Sequence, residues 1–228
     1  MNIKNNPLQH YIDKLKSDEK FSFTRWGDGE WSCLFGVEGH NCDKHTYFPE
    51  MSKELNNVFK NHKGYFLATW PYDRPMMRGI SSRIETFLNH NKLNFDWVDA
   101  RVWEEAAMTG TLIPLIKQLE KMDLIIVSEA SKRSLPIKYK DFIETPSVNC
   151  YLEKELIKQK IITMCEKYNN PVFALSASMA TNVIVDELYP IIGDKCWMID
   201  FGSIWEPFIK NPVHSRSYHT RYKNKKLI

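Results

Sequence analysis

Two carboxylates stand directly after the first predicted strand of the chain, at Asp28 and Glu30. In extended backbone, side chains two positions apart project to the same side, so these two can meet at one point. The neighbouring Gly27 and Gly29 let a ligand approach the backbone closely. Carboxylate oxygens suit Mg²⁺ or Mn²⁺, which commonly bridge to phosphate, and Arg25 suits a further phosphate oxygen. A solvated Asp-Gly turn without a ligand accounts equally well for the spacing alone.

Small residues follow a second apolar strand, at Ser176, Ala177 and Ser178. They stand between a strand and an amphipathic helix, where amides and hydroxyls gather at a helix amino terminus and favour phosphate. These three residues are therefore candidate phosphate ligands. In the alternative interpretation, Ser178 only caps the helix.

A third carboxylate, Asp200, leaves the last predicted strand, and Glu206 follows it. The tripeptide Asp200-Phe201-Gly202 matches the metal-binding motif of protein kinases. The chain has no kinase-type Gly-rich loop, no His-Arg-Asp loop and no suitable lysine, which excludes a kinase.

Two other groups have simpler interpretations. His40, Cys42 and His45 lack a fourth metal ligand and a standard zinc spacing, so we interpret them as loop residues. Trp70 and Tyr72, at the end of a predicted strand, could stack on a base or a sugar ring, although aromatic residues usually belong to the core.

The elements that position these residues alternate between short apolar runs and amphipathic segments. Strands separated by helices imply crossover connections, and therefore a mainly parallel sheet with helices on both faces. The sequence predicts one Rossmann-like α/β domain over residues 1–209, with ligands at the carboxyl ends of the strands. The predicted strands are Phe21–Trp26, Tyr65–Trp70, Phe95–Val98, Leu124–Ser128, Phe142–Thr145, Val172–Ser176 and Trp197–Phe201. The first predicted helix begins at Pro7. The other predicted helices cover Ser52–Lys60, Ile80–His90, Thr111–Lys121, Tyr151–Tyr168 and Ser178–Leu188.

Composition narrows the class of protein. With 228 residues, 43% hydrophobic and 26% charged, the chain is expected to be a soluble globular protein with a sizeable core. It has no apolar run of about 18 residues and no apolar amino-terminal segment, so we expect neither a membrane span nor a secretion signal. Five cysteines without a two-residue spacing argue against a disulfide framework and a zinc ribbon, and favour a cytoplasmic location.

The pattern Trp26-Gly27-Asp28-Gly29-Glu30, preceded by Arg25, resembles the signature of the GT-D-type glycosyltransferases, a family with an Asp-X-Glu motif and a Rossmann-like fold. Segments 123–128, 143–151, 172–178 and 199–202 resemble later strands and loops of that family, so the likeness covers roughly residues 20–208. The small-residue loop, often Leu-Gly-Pro in the family, is Leu-Ser-Ala-Ser here. Ser203 stands where a histidine can follow the closing glycine.

The resemblance implies an enzyme that uses a nucleotide-sugar donor, such as a UDP-sugar, together with Mn²⁺ or Mg²⁺. It places Asp28 and Glu30 at the cation and the donor diphosphate. On this interpretation, Gly27 and Gly29 give the donor access to the backbone. Arg25 and residues 176–178 contact phosphate.

The acceptor is a hydroxyl group, for which Asp200 or Glu206 is the candidate general base. A glycan or a glycoprotein is the expected acceptor, and a modified base in DNA is a second possibility. A non-catalytic nucleotide or nucleic-acid binding module on the same fold is the alternative function. Turnover of a labelled nucleotide sugar separates an enzyme from such a module.

The carboxyl-terminal segment 210–228 generates the first prediction. It carries six basic and no acidic residues, whereas residues 1–209 carry 25 basic and 28 acidic ones, a net charge of −3. If this tail recruits DNA, the logarithm of the association constant should fall linearly with the logarithm of the salt concentration, with a slope of about −0.9 per phosphate contact. Deleting residues 221–228 should then weaken DNA binding and leave donor binding unchanged. Salt-independent or undetectable DNA binding by the intact chain would exclude the DNA acceptor.

Overall fold

The computed structural model describes residues 1–209 and His219. For Asn61 it describes the backbone alone. The basic tail predicted for residues 210–228, with its possible role toward DNA, therefore lies outside the described residues apart from His219.

Eight strands form one sheet in the order β1-β4-β3-β2-β8-β7-β5-β6, and every pairing between neighbours is parallel. This arrangement confirms the predicted Rossmann-like α/β class. The sequence did not predict β1, because two residues are too few to show an alternating pattern. The strands are β1 (Ile3–Lys4), β2 (Ser22–Trp26), β3 (Phe66–Thr69), β4 (Trp97–Asp99), β5 (Asp123–Ser128), β6 (Asp141–Glu144), β7 (Pro171–Leu175) and β8 (Trp197–Asp200).

Side chains of the central strands alternate between two apolar cores, one on each face of the sheet. In β5, Ile125 and Val127 belong to the first core, whereas Leu124 and Ile126 belong to the second. A strand buried on both faces reads as a continuous apolar run, which is why β5 and β7 are visible in the sequence.

Helices cover both faces of the sheet, as predicted. The first core receives side chains from α2, α3, α4, α5, α8 and α9, and the second from α1, α6 and α7. The helices are α1 (Leu8–Lys16), α2 (Asp28–Leu34), α3 (Pro49–Asn61), α4 (Pro75–Arg78), α5 (Ser81–His90), α6 (Val102–Thr109), α7 (Ile113–Leu119), α8 (Lys154–Lys167) and α9 (Ala180–Ile192). Among the described residues, no helix is both long enough and apolar enough to cross a membrane.

Helix α2 corrects the expectation that residues 28–30 are extended. Gly27 is in an extended conformation and the helix begins at the next residue. The turn is stabilised from the interior of the protein, because Trp31 is fully buried and stacks on Phe59 with 5.5 Å between ring centroids. Tertiary packing therefore outweighs the low helix propensity of Gly29 in the first turn.

The two-sided core generates a stability prediction. Ile126 is fully buried in β5, so Ile126→Ala should lower the free energy of unfolding by about 2–5 kcal/mol. Ile191, 55% exposed on α9, is the matched control, and Ile191→Ala should change it by no more than about 0.5 kcal/mol. Denaturant unfolding of both variants measures the difference, and equal costs would contradict the burial of β5.

Candidate functional site

One cleft runs along the carboxyl edge of the sheet. Its wall includes residues from the ends of β2, β3, β5, β6, β7 and β8 and from the loop 41–45. Its empty space, including the open mouth, is about 1060 Å³. The connection from β5 runs to β6 on one side, and the connection from β7 runs to β8 on the other side. Open α/β sheets bind ligands in the crevice between two such diverging connections.

Asp28 and Glu30 both line this cleft, but not by the alternation expected of a strand. They occupy the first and third positions of α2, and the Glu30 side chain folds back so that its Oε2 accepts a hydrogen bond from the Gly27 N–H at 2.8 Å. Glu30 therefore caps the helix as well as facing the cleft. Gly27 and Gly29 also line the cleft. A side chain at Gly29 would lie 3.2 Å from the Cβ of Asn41.

The carboxyl of Glu30 is poised between its two protonation states. Burial is the main cause that raises the pKa of Glu30 to about 7, and the charges of Asp200 and Asp28 raise it further. The hydrogen bond from Gly27 opposes this shift. A positive charge bound nearby would favour the ionised form.

Arg25 is held in the cleft wall by Asp200. Its Nε lies 3.3 Å from Oδ2 of Asp200, whose Oδ1 accepts a hydrogen bond from the Gly202 N–H at 2.8 Å. Gly202 has a φ of 52°, and a Cβ there would lie 1.5 Å from Nη2 of Arg25. Only glycine fits this close approach of the guanidinium to the backbone.

Asp200 itself is buried and is not part of the cleft wall, although Arg25, Gly202 and Glu206 are. The pKa of Asp200 is raised overall, because the effect of burial exceeds the opposing effect of the neighbouring Arg25. Both carboxylate oxygens of Asp200 therefore have partners in the protein, and the role of Asp200 in this geometry is to hold Arg25 in position.

The small-residue loop differs from its predicted arrangement. Helix α9 begins at Ala180, with Met179 as the N-cap, and Ser178 has a φ of 53°, so the interpretation of Ser178 as the N-cap is wrong. Within the loop, the Ala177 N–H donates a hydrogen bond to Oγ1 of Thr181 at 3.3 Å. Ala177 is buried and does not line the cleft.

The two serines of this loop do line the cleft. The Ser176 hydroxyl donates to the carbonyl oxygen of Gly202 at 2.8 Å. The Ser178 Oγ accepts a hydrogen bond from Nδ2 of Asn41 at 3.0 Å. As an acceptor in that contact, Ser178 can donate its own hydroxyl proton to a ligand. Asp28 and Ser178 thus line the same cleft, as the sequence predicts.

Sequence reasoning missed a lysine inside the cleft. Lys132 is 2% exposed, and its ammonium donates to Oε1 of Glu129 at 2.5 Å and to Oε1 of Glu206 at 2.6 Å. Burial alone would raise the pKa of Glu129, but hydrogen bonds from Lys132 and Ser131 outweigh it and lower the pKa. The position of Glu129 directly after β5 was the available signal, whereas Lys132 reads as an ordinary surface charge in the sequence.

The segment with His40, Cys42 and His45 forms a loop beside α2. The Asn41 Oδ1 accepts hydrogen bonds from the N–H groups of Asp43 and His45, each at 3.0 Å. The His45 Nδ1 accepts from the Asn149 N–H at 3.0 Å, which assigns its proton to Nε2. Throughout residues 1–209 and at His219, no group of three His, Cys, Asp or Glu side chains is arranged to hold a metal ion.

Trp70 lines the cleft beside Gly27, where an added Cβ would lie 3.2 Å from the indole nitrogen. Tyr72 is not part of the wall. Of the two aromatic residues predicted to stack on a ring, Trp70 is therefore in a position to meet a ligand.

Carboxylates outnumber cationic groups in the cleft. Within residues 1–209, its wall contains two cationic side chains and five carboxylates, a formal charge of −3 when all are ionised. The cationic residues are Arg25 and Lys132, and the acidic residues are Asp28, Glu30, Asp43, Glu129 and Glu206. An anionic ligand would meet repulsion there unless a cation or a proton accompanied it.

The fold is shared with a solved structure of a domain of unknown function, DUF1792, in its selenomethionine-substituted form. The two superpose with a TM-score of 0.66 and 17% sequence identity over 90% of this chain and 79% of that chain. No family model and no curated protein matches the sequence. At this identity the likeness establishes the fold.

Glu30 generates a prediction about pH. Its pKa in the folded protein, about 7, exceeds the value of about 4.3 for an unperturbed glutamate. Its contribution to the free energy of unfolding is therefore complete below a pH of about 4.3 and is lost as pH rises from there through about 7. The free energy of unfolding should fall across this window in the natural protein, and less so in Glu30→Gln.

Glu38→Gln, at an exposed position outside the cleft, is the control and should retain the full pH dependence. Urea unfolding at several pH values compares the three proteins. Parallel curves for the natural protein and Glu30→Gln would contradict the raised pKa.

Proposed function

We propose that this protein is a glycosyltransferase that moves a sugar from a nucleotide-sugar donor, such as a UDP-sugar, to a hydroxyl of a glycan or glycoprotein. The observation that carries the proposal is that Asp28 and Glu30, which resemble the Asp-X-Glu motif, line a cleft at the carboxyl edge of a parallel sheet. The fold shared with DUF1792 supports the same architecture. The alternative, a binding module without turnover, would hold the donor but not transfer its sugar.

The charge of the cleft favours a divalent cation. A diphosphate adds negative charge to a wall with a formal charge of −3, and a cation would offset it. Asp28 and Glu30 supply hard oxygen ligands, and Mg²⁺ commonly takes one or two carboxylates while phosphate and water complete its shell. Mg²⁺ or Mn²⁺ bound there would neutralise charge on the departing nucleotide diphosphate. The raised pKa of Glu30 fits this role, because a cation favours the ionised carboxylate.

Arg25 and Ser178 are the donors proposed for phosphate. Asp200 and Gly202 hold the Arg25 guanidinium in place in the wall of the cleft. Pre-oriented donors stabilise charge that develops in a transition state without further reorganisation. Ser178 adds its hydroxyl two residues before the amino terminus of α9, where the helix dipole favours negative charge.

Glu206 is the proposed proton acceptor for the attacking hydroxyl. It lines the cleft, whereas Asp200 does not. The Lys132 ammonium at 2.6 Å favours the ionised form of Glu206, which is the form that accepts a proton. The role that the resemblance leaves open between Asp200 and Glu206 therefore goes to Glu206.

Donor binding tests the site. Asp28→Asn and Glu30→Gln should each weaken cation-dependent binding of a UDP-sugar by on the order of tenfold to a hundredfold, the effect of losing an interaction with a charged group. Asp96→Asn and Glu38→Gln, at exposed positions outside the cleft, are the matched controls and should bind as the natural protein does. Calorimetric titration with and without Mn²⁺ measures the affinities, and unchanged binding by both cleft variants would refute this site.

Turnover separates the two functions. A labelled nucleotide sugar incubated with the protein and Mn²⁺ should release the nucleoside diphosphate, slowly to water and faster when an acceptor is present. Binding without any release would support the binding module instead.

A further inference from the structure

We infer that Asn41 is a positioning residue that fixes the Ser178 hydroxyl as a hydrogen-bond donor, so that this position binds a phosphate oxygen rather than a donating group. The inference rests on the proposed function and adds the residue that sets the polarity of the Ser178 contact. Asn41 is 9% exposed, and both residues line the cleft. They come from different parts of the chain, the loop 41–45 and the segment between β7 and α9.

The backbone of the loop 41–45 fixes which way the Asn41 amide faces. Its Oδ1 accepts hydrogen bonds from the N–H groups of Asp43 and His45, each at 3.0 Å. Only the oxygen of a side-chain amide can accept from an N–H, so a flipped amide would lose both contacts. The NH₂ group is therefore turned toward Ser178, and it donates to the Ser178 Oγ at 3.0 Å.

The same contact sets the direction of the Ser178 hydroxyl. A serine hydroxyl has one proton and two lone pairs, and one lone pair here accepts the Asn41 N–H. An amide NH₂ group cannot accept a hydrogen bond, so the hydroxyl proton points away from Asn41. Ser178 is half-buried in the cleft wall, where its proton can be donated to a ligand. An ionised phosphate oxygen, which has lone pairs and no proton, is the matching partner.

Gly29 makes room for Asn41 beside the proposed cation ligands. A Cβ on Gly29 would lie 3.2 Å from the Asn41 Cβ, which is tighter than an ordinary van der Waals contact. The first turn of α2, which carries Asp28 and Glu30, thus packs closely against Asn41. Asn41 therefore joins the proposed cation ligands to Ser178, the proposed phosphate ligand.

A double-mutant cycle between Asn41 and Ser178 tests the inference, with UDP and Mn²⁺ as the probe and calorimetry as the measurement. Ser178→Gly removes the hydroxyl, and glycine readily adopts the left-handed backbone of this position, where φ is 53°. In the natural background, Ser178→Gly should weaken UDP binding by about fivefold to fiftyfold, the effect of losing a hydrogen bond to a charged group.

Asn41→Asp reverses the polarity of the contact. The carboxylate keeps one oxygen for the two loop N–H groups, but its other oxygen accepts from the Ser178 hydroxyl, which then has no proton left for phosphate. Asn41→Asp should weaken UDP binding through this loss and through its added charge. In the Asn41→Asp background, Ser178→Gly should change the UDP affinity by less than about twofold, since the contact is already lost.

Asn149→Asp is the matched control for the added charge. The Asn149 Oδ1 accepts from the Thr46 N–H at 2.8 Å, next to the same loop, but Asn149 is not part of the cleft wall. In this background, Ser178→Gly should keep its full effect. Inorganic pyrophosphate with Mn²⁺ lacks the base and the ribose, and its binding should show the same pattern as that of UDP.

Thermal unfolding shows whether each variant is folded. If Asn41→Asp does not fold, Asn41→Ala takes its place, because it removes the amide donor without adding charge. The hydroxyl then loses its fixed orientation, so Ser178→Gly should again weaken UDP binding less than it does in the natural background.

Equal effects of Ser178→Gly in the natural and Asn41 backgrounds, or no effect in the natural background, would overturn the inference. A loss for UDP without a loss for pyrophosphate would also overturn it, because the hydroxyl would then contact the base or the ribose. In each of these cases the natural protein still binds UDP with Mn²⁺, and the proposed function stands. Failure of the natural protein to bind UDP would refute both.

Discussion

The pairing of Arg25 with Asp200 joins the neighbouring strands β2 and β8 where the cleft begins. The buried Asp200 requires a nearby cation, because an unpaired charge in a low dielectric is strongly unfavourable. The contact also requires Gly202, since any side chain there would occupy the space of the guanidinium. The surrounding backbone is tied to the same point, because Asn182 donates to the Arg25 carbonyl and Ser176 to the Gly202 carbonyl. Strands β2, β7 and β8 and helix α9 therefore meet around one ion pair.

Excess negative charge is the second constraint on the cleft, and the fold manages it in different ways. Glu129 and Glu206 share the Lys132 ammonium, and Asp200 has Arg25. Glu30 accepts a hydrogen bond from the Gly27 N–H, and burial raises its pKa to about 7. The cation proposed at Asp28 and Glu30 would offset part of this charge.

Much of the fold is predictable because buried parallel strands are continuous apolar runs. The runs at 124–127 and 172–175 occupy the centre of the sheet, and their ends lie at the cleft. The helix at 28–34 was not predicted, because Gly29 lies in its first turn and Trp31 packs on Phe59, which is distant in the sequence. The backbone at Ser178 was also mispredicted, since its left-handed conformation accompanies a contact with Asn41 that no local pattern indicates.

The sequence by itself determined the fold class and the edge of the sheet at which polar residues gather, because strand periodicity and strand order along the chain are local properties. It also indicated that Asp28, Glu30 and Arg25 lie at this edge, since each is close to a strand end, and all three line the cleft. Only the tertiary structure decided that Glu30 turns back to cap a helix, that Asp200 holds Arg25, and that Lys132 is buried between two carboxylates. These features depend on burial or on contacts between residues far apart in the sequence. Arg25 and Asp200, for example, are 175 positions apart. Burial and long-range pairing set the charge and the partners of each group, and neither can be read from neighbouring residues.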